Sequence, residues 1–221
     1  MILAVTGGKG GVGKSTVAYN LGAELDAVVV DGDLGMADLP ASRGPDLHDV
    51  LAGRASVFEA VREDGPVTLL PCGRSLAGAK ASDPTALVEV VERVADEYGR
   101  VVIDCPAGMR ADVGLPLYAA TACVVVTTPH RTALTDALRV RELARELDAG
   151  LVAVVLNRAH SEERTTTVER RLGAPVTKIP ESTRLAASST WADPVASVAP
   201  ESEVHEQFRT LATSIQSSLR S

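Results

Sequence analysis

Apolar positions along this chain alternate between short unbroken runs and longer stripes. The runs are Ile2–Thr6, Ala27–Val30, Val67–Leu70, Val101–Ile103, Ala122–Thr127, Leu151–Leu156 and Pro175–Ile179. Unbroken runs, as opposed to in-and-out alternation, predict strands buried on both faces, as in a parallel sheet. The stretches between them have helical periodicity. Val17–Leu25 predicts one helix. Leu87, Val90, Val91 and Val94 share one face of another, which starts at Ser82-Asp83-Pro84 and stops at Gly99. Val140, Leu143, Ala144 and Leu147 form the stripe of a third, and a polar helix is predicted over Ser161–Leu172. The last runs from about Glu201 to Leu219, with Val204, Phe208, Leu211, Ala212, Ile215 and Leu219 on one stripe. Asp46–Leu51 and Ser56–Val61 predict short helices, and Leu34–Pro45, rich in Gly, Pro and Asp, predicts a loop. Strand and helix alternate throughout. The expected fold is therefore one α/β domain over residues 1–221, a mostly parallel sheet flanked by helices on both faces.

Composition narrows the class. Apolar residues make up 45%, yet there are only two Phe and one Trp, so the core must be built from Val, Leu and Ala. A net charge of −7 argues against a nucleic-acid partner, which needs a basic face. Cys72, Cys105 and Cys123 form no CxxC pair, so neither a disulfide framework nor a zinc site is suggested. Cys105 and Cys123 read as small buried hydrophobes. The sequence shows no signal peptide and no run long enough to span a bilayer, so a cytoplasmic protein is expected.

Chemistry enters after the first strand. Gly7–Thr16 reads Gly-Gly-Lys-Gly-Gly-Val-Gly-Lys-Ser-Thr, so Gly8 and Gly13 bracket four residues and Lys14-Ser15 comes next. In this GxxxxGK(S/T) pattern, glycines let the backbone close on a polyphosphate. The N–H groups of Gly8, Gly10, Gly11, Val12, Gly13, Ser15 and Thr16, at the loop and the first helical turn, can then face the anion. Lys14 supplies a point charge to the β/γ-phosphates, and the Ser15 hydroxyl can ligate Mg²⁺. A second lysine, Lys9, stands inside the same loop. Of 22 basic side chains only Lys9, Lys14, Lys80 and Lys178 are lysines, so two in one loop is not an effect of composition.

With its signature lysine, this loop resembles the deviant Walker-A ATPases of the MinD/ParA family. Asp31-Gly32-Asp33-Leu34-Gly35, Asp104-Cys105-Pro106-Ala107-Gly108, the Pro129 loop, Asn157 and Pro180-Glu181 occur in that family's order, covering nearly the whole chain. Asp-Leu-Gly-Met-Ala-Asp and the Pro-Ala-Gly step look more like the MinD branch than like plasmid-partitioning ParA. Asp104, ending an apolar strand, fits a carboxylate that holds Mg²⁺ through water. The resemblance implies that Asp31 lies near the metal and that Asp33 orients or deprotonates the attacking water. It further implies that Gly108 belongs to a loop sensing the γ-phosphate, that Asn157 reads adenine through its amide, and that Pro180 and Glu181 flank the base. Lys9, by the same resemblance, reaches across a two-fold interface to the partner's ATP. The activity so implied is that of an Mg-dependent ATPase, cycling between ATP and ADP, that forms an ATP-dependent homodimer. It would act on a protein activator or cargo in cell division or another intracellular assembly.

Bacterial MinD ends in a basic amphipathic helix that docks on membrane. Here the tail closes Thr-Ser-Ile-Gln-Ser-Ser-Leu-Arg-Ser, short of cationic and bulky apolar side chains. A last helix docked on its own domain is expected, with any membrane contact made through a partner. Two other functions fit the same fold: a metallochaperone or iron–sulfur carrier ATPase, and a P-loop small-molecule transferase. Scattered Cys and His weigh against the first, and Lys9 against the second.

Overall fold

A computed structural model describes residues 1–35, 39–40, 43–108, 111–160, 165–186 and 193–220. Seven strands form one sheet: β1 (Ile2–Thr6), β2 (Val28–Asp31), β3 (Leu69–Leu70), β4 (Val101–Asp104), β5 (Ala122–Thr127), β6 (Gly150–Asn157) and β7 (Val176–Ile179). Their order is β3-β2-β4-β1-β5-β6-β7, and every strand pairing is parallel. β1 is central. Leu3 pairs with Val102 of β4 on one side and with Ala122 of β5 on the other. From β1 the chain builds leftward through β2, β3 and β4, then crosses to build rightward, so the end of β1 lies where the winding reverses. In such sheets ligands bind beyond the carboxyl ends at that reversal.

Both faces of the sheet are covered, which is why the apolar runs are unbroken. Leu3, Val5, Val29, Val102, Val124 and Val155 face helices Lys14–Leu25 and Glu203–Ser218. Ile2, Ala4, Val28, Val30, Val101 and Ile103 face the other layer, which includes helices Leu87–Tyr98 and Ala111–Ala119. Val125 and Val154 pack on helices Arg131–Glu146 and Thr165–Leu172.

Several boundaries differ from expectation. β3 is shorter than Val67–Leu70: it spans Leu69–Leu70 and stops before Pro71, which cannot donate to a ladder. The helix expected from Ser82 begins as a 3₁₀ turn, Pro84–Ala86, capped by Asp83, whose Oδ1 accepts the Thr85 N–H at 3.0 Å. The polar helix is seen from Thr165, its first four expected positions lying outside the described residues. Residues 36–38 and 41–42 of the expected loop lie outside them too. Helices Leu76–Ala81, Ala111–Ala119 and Val195–Val198 were not expected. Ser75 caps Leu76–Ala81 through the Gly78 N–H at 2.9 Å, and Ala111–Ala119 forms around an internal Pro116. Leu117 of the latter is fully buried, so packing overrides poor local propensity.

The last helix, Glu203–Ser218, docks on the domain as expected. Phe208, Leu211 and Ile215 are fully buried. At ~1.5–3 kcal/mol per buried side chain, withdrawing all three would cost about 5–9 kcal/mol. A polar clamp reinforces the contact. His205 Nε2 lies 2.9 Å from the Glu24 carboxylate on helix Lys14–Leu25, and its Nδ1 lies 2.6 Å from the Pro200 carbonyl.

Candidate nucleotide site

β1 ends at Thr6 and the chain turns through the glycine loop into helix Lys14–Leu25. The loop is wedged tightly. A Cβ on Gly8 would come within 2.5 to 2.7 Å of Asp136, two of the three contacts being backbone atoms, so only glycine fits. Gly13 precedes the helix at φ 99°, a left-handed conformation, and a Cβ there would lie 2.2 Å from Asn157 Nδ2. The first helical turn carries no acidic side chain and no side-chain cap, leaving its N–H groups to an anion.

The two lysines part company. Lys14 opens the helix with its side chain turned inward, at 8% exposure. Burial and the Asp104 carboxylate raise the Cys105 thiol, and the positive charge of Lys14 lowers it. Lys9 is exposed. It lines an open cleft of about 510 Å³ with Gly10, Gly11, Val12, Thr128, Pro129 and Arg158.

The carboxylates arrive on neighbouring strands. Asp31 and Asp104 are register partners at the ends of β2 and β4, exposed by 0% and 1%, and Asp104 also pairs with Val5 beside the loop's origin. The Gly32 N–H donates to the Asp104 carbonyl at 2.9 Å, and a Cβ on Gly32 would meet that oxygen at 2.8 Å. Half-buried Asp33 comes next. Its N–H donates to Asp31 Oδ1 at 3.3 Å, and Asp33 Oδ1 accepts the Gly35 N–H at 3.3 Å. On the far side of the loop, a Cβ on Gly10 would approach Ala107 to 3.9 Å, so the segment leading to Gly108 faces the glycine loop. Gly108 has φ 98°.

Asn157 ends β6, and its Nδ2 donates to the Val12 carbonyl at 2.7 Å while its Oδ1 accepts the Arg158 N–H at 3.0 Å. It lines a second cleft of about 200 Å³ together with Gly13, Thr16, Pro180, Glu181 and Leu185. Arg158, at φ 54°, borders both clefts. Behind the loop, Asn20 donates to the Thr16 carbonyl at 2.8 Å and accepts the Val195 N–H at 2.7 Å. Neither Arg158 nor Asn20 was expected here. A positive φ has no sequence signal outside Gly, Asn and Asp, and a lone Asn in a helix has none either.

A family model for the CobQ/CobB/MinD/ParA nucleotide binding domain matches residues 3–195. The chain belongs to this family. It is 33% identical over 175 residues to the septum site-determining protein MinD of Synechocystis sp., covering 73% of this chain and 65% of that protein. To an uncharacterized ATP-binding protein of Methanocaldococcus jannaschii it is 37% identical over 169 residues, covering 72% of this chain and 64% of the relative. The chain thus spans a little under two thirds of these two relatives' length. Among solved structures, the cell-division ATPase MinD of Pyrococcus furiosus superposes with a TM-score of 0.90 at 30% identity, covering 97% of this chain and 98% of its own. MinD of Pyrococcus horikoshii, solved with Mg-ADP, gives 0.88 at 29% identity, covering 95% and 93%.

The donor set suits what a CobQ/CobB/MinD/ParA nucleotide-binding member would hold. Ser15, Asp31 and Asp104 offer only oxygen, the ligand Mg²⁺ prefers. Among the described residues no group of three or more His, Cys, Asp or Glu could hold a metal ion. The thiols sit inside the domain. Cys72, Cys105 and Cys123 are all buried, and burial raises the Cys123 thiol to about 12.

Proposed function

We propose that this chain binds ATP and ADP with Mg²⁺, hydrolyses ATP, and uses ATP to bring two copies together. Hydrolysis would return the dimer to monomers. Such a switch would position or regulate a cell-division or other intracellular assembly through a protein activator or cargo. The observation that carries this reading is the opposite placement of Lys14, turned inward, and Lys9, exposed on the open cleft. Lys14 would serve the β/γ-phosphates of its own subunit, and Lys9 those of the partner's nucleotide. Ser15 would hold the metal directly, with Asp104 and Asp31 behind it. When bound, Mg²⁺ supplies positive charge against the β- and γ-oxygens. Asp33 would orient or deprotonate the water. Asn157 retains one amide hydrogen and one oxygen lone pair beyond the bonds described, which suits adenine's paired donor and acceptor. Pro180 and Glu181 would flank the base.

Light scattering tests the switch. The protein should double in mass with a slowly hydrolysed ATP analogue and stay monomeric with ADP. Asp33→Ala should bind ATP, remain dimeric in it and turn over ~10²- to 10⁴-fold more slowly. The same mass in both nucleotides would sink the switch, and wild-type turnover in the variant would move the carboxylate's role to Asp31.

Membranes provide another test. Because helix Glu203–Ser218 buries its apolar stripe in the domain, the chain with ATP should not sediment with anionic liposomes. ATP-dependent sedimentation that disappears on deleting residues 205–221 would overturn that expectation. No helix among the described residues is long and apolar enough to cross a membrane.

A further inference from the structure

We propose that His48 is the positioning residue for the loop carrying Asp33, which it holds by donating a hydrogen bond to the Leu34 carbonyl. The proposal rests on Asp33 being the carboxylate that handles the attacking water.

His48 lies on a helix of five residues, Leu47–Leu51, whose placement is fixed from two directions. Asp46 and Asp49 form a reciprocal capping box at its start. The Leu47 N–H donates to the Pro71 carbonyl at 2.9 Å, fastening the helix to the end of β3. The His48 ring is thereby carried inward, to 2% exposure. Its Nε2 lies 3.0 Å from the Leu34 carbonyl and 3.3 Å from Cys72 Sγ. A carbonyl can only accept, so Nε2 bears a hydrogen. Nδ1 has no hydrogen-bond partner among the described residues, so the ring's polar contacts are made through Nε2.

Space beside the ring is limited. A Cβ on Gly73 would come within 2.5 Å of Nδ1, and one on Gly78 within 3.1 Å of the same atom. Gly73 and Gly78 therefore border the Nδ1 edge of the ring. Cys72, beside Nε2, remains a neutral thiol, because burial raises it first and the carboxylates of Asp31, Asp46 and Asp33 raise it further.

The effect falls on the loop. The Gly32 N–H ties its near end to the Asp104 carbonyl on β4, and His48 ties the Leu34 carbonyl on the other side. Asp33 is the residue between these two anchors. Bonds within the loop include the Asp33 N–H to Asp31 Oδ1 at 3.3 Å, the Gly35 N–H to Asp33 Oδ1 at 3.3 Å and the Leu34 N–H to the Gly32 carbonyl at 3.1 Å, each closing only a short stretch of chain. Losing the far anchor removes the hydrogen bond that holds the Leu34 carbonyl, and an error of about 1 Å at a reacting group can lower the rate ~10²-fold.

Two similar polar substitutions separate positioning from mere filling of space. The His48→Gln amide nitrogen stands where Nε2 does and can still donate to Leu34. The His48→Asn amide is too short and reaches only the level of Nδ1. The measurements are ATP turnover, affinity for a fluorescent ATP analogue, and thermal melting, all on the full chain. His48→Asn should lower kcat by ~10- to 10²-fold with nucleotide affinity unchanged within about twofold, while His48→Gln stays within about threefold of wild type. In the Asp33→Ala background, His48→Asn should slow turnover no further. The inference is overturned if His48→Asn turns over normally, if Gln is no faster than Asn, or if the loss persists in full without Asp33. Should Asp33→Ala alone have wild-type turnover, the Asp33 reading falls and takes this inference with it. A slow Asp33→Ala beside a fast His48→Asn removes the inference alone.

Discussion

Lys14→Ala is expected to abolish ATP binding at micromolar concentrations. The side chain is 8% exposed and opens the helix that follows the glycine loop, a buried position that the exposed Lys9 does not share. Removing one partner of a buried, charge-assisted pair costs ~2–5 kcal/mol or more. That is a loss of roughly 30- to 5,000-fold in Kd. Titration with a fluorescent ATP analogue measures it, and a circular dichroism spectrum matching wild type would show that the fold persists. Affinity within threefold of wild type would remove the phosphate role from this loop.

Lys9→Ala is expected to separate binding from everything after it. Lys9 is exposed, and exposed substitutions usually change stability by no more than about 0.5 kcal/mol. Monomeric ATP binding should therefore survive. The cation offered to a second subunit's triphosphate disappears. Donors supplied in trans to phosphoryl transfer can be worth ~10³ or more in rate, because they stabilise charge that develops in the transition state. Turnover should fall by about that factor, and the ATP-analogue dimer should vanish in light scattering. Lys9→Arg should recover little, since a planar guanidinium does not replace a compact ammonium. If Lys9→Ala still dimerises and turns over normally, an ordinary P-loop enzyme becomes the better description.

The sheet was legible in the sequence because a strand covered on both faces must be apolar at every position. The glycine loop was legible because its backbone leaves no space at Gly8 and requires a left-handed conformation at Gly13. Asp31, Asp104 and Asn157 were found as polar residues ending apolar runs, and the sheet brings them to the same edge as the loop. Helices Leu76–Ala81 and Ala111–Ala119 were not foreseen, since Gly78 and Pro116 lower local helix propensity and the stabilising contacts come from distant parts of the chain. His48 was unreadable for a different reason. Its importance lies in meeting Leu34 and Cys72, 14 and 24 residues away, and no periodicity links those positions.

The central place of β1 governs the order in which the protein can assemble. Its two neighbours come from residues 101–104 and 122–127, and the Asn157 bond that braces Val12 spans 145 positions. The loop precedes all of these in the chain and takes its final shape only once they arrive. A nascent chain that has yet to deliver β6 cannot make that brace, so early nucleotide capture gives it little help in folding. Closing such long loops is entropically unfavourable until non-local contacts repay it, which places this chain with slow, high-contact-order folders. Nucleotide binding that depends on this brace would thus report that β6 has joined the sheet.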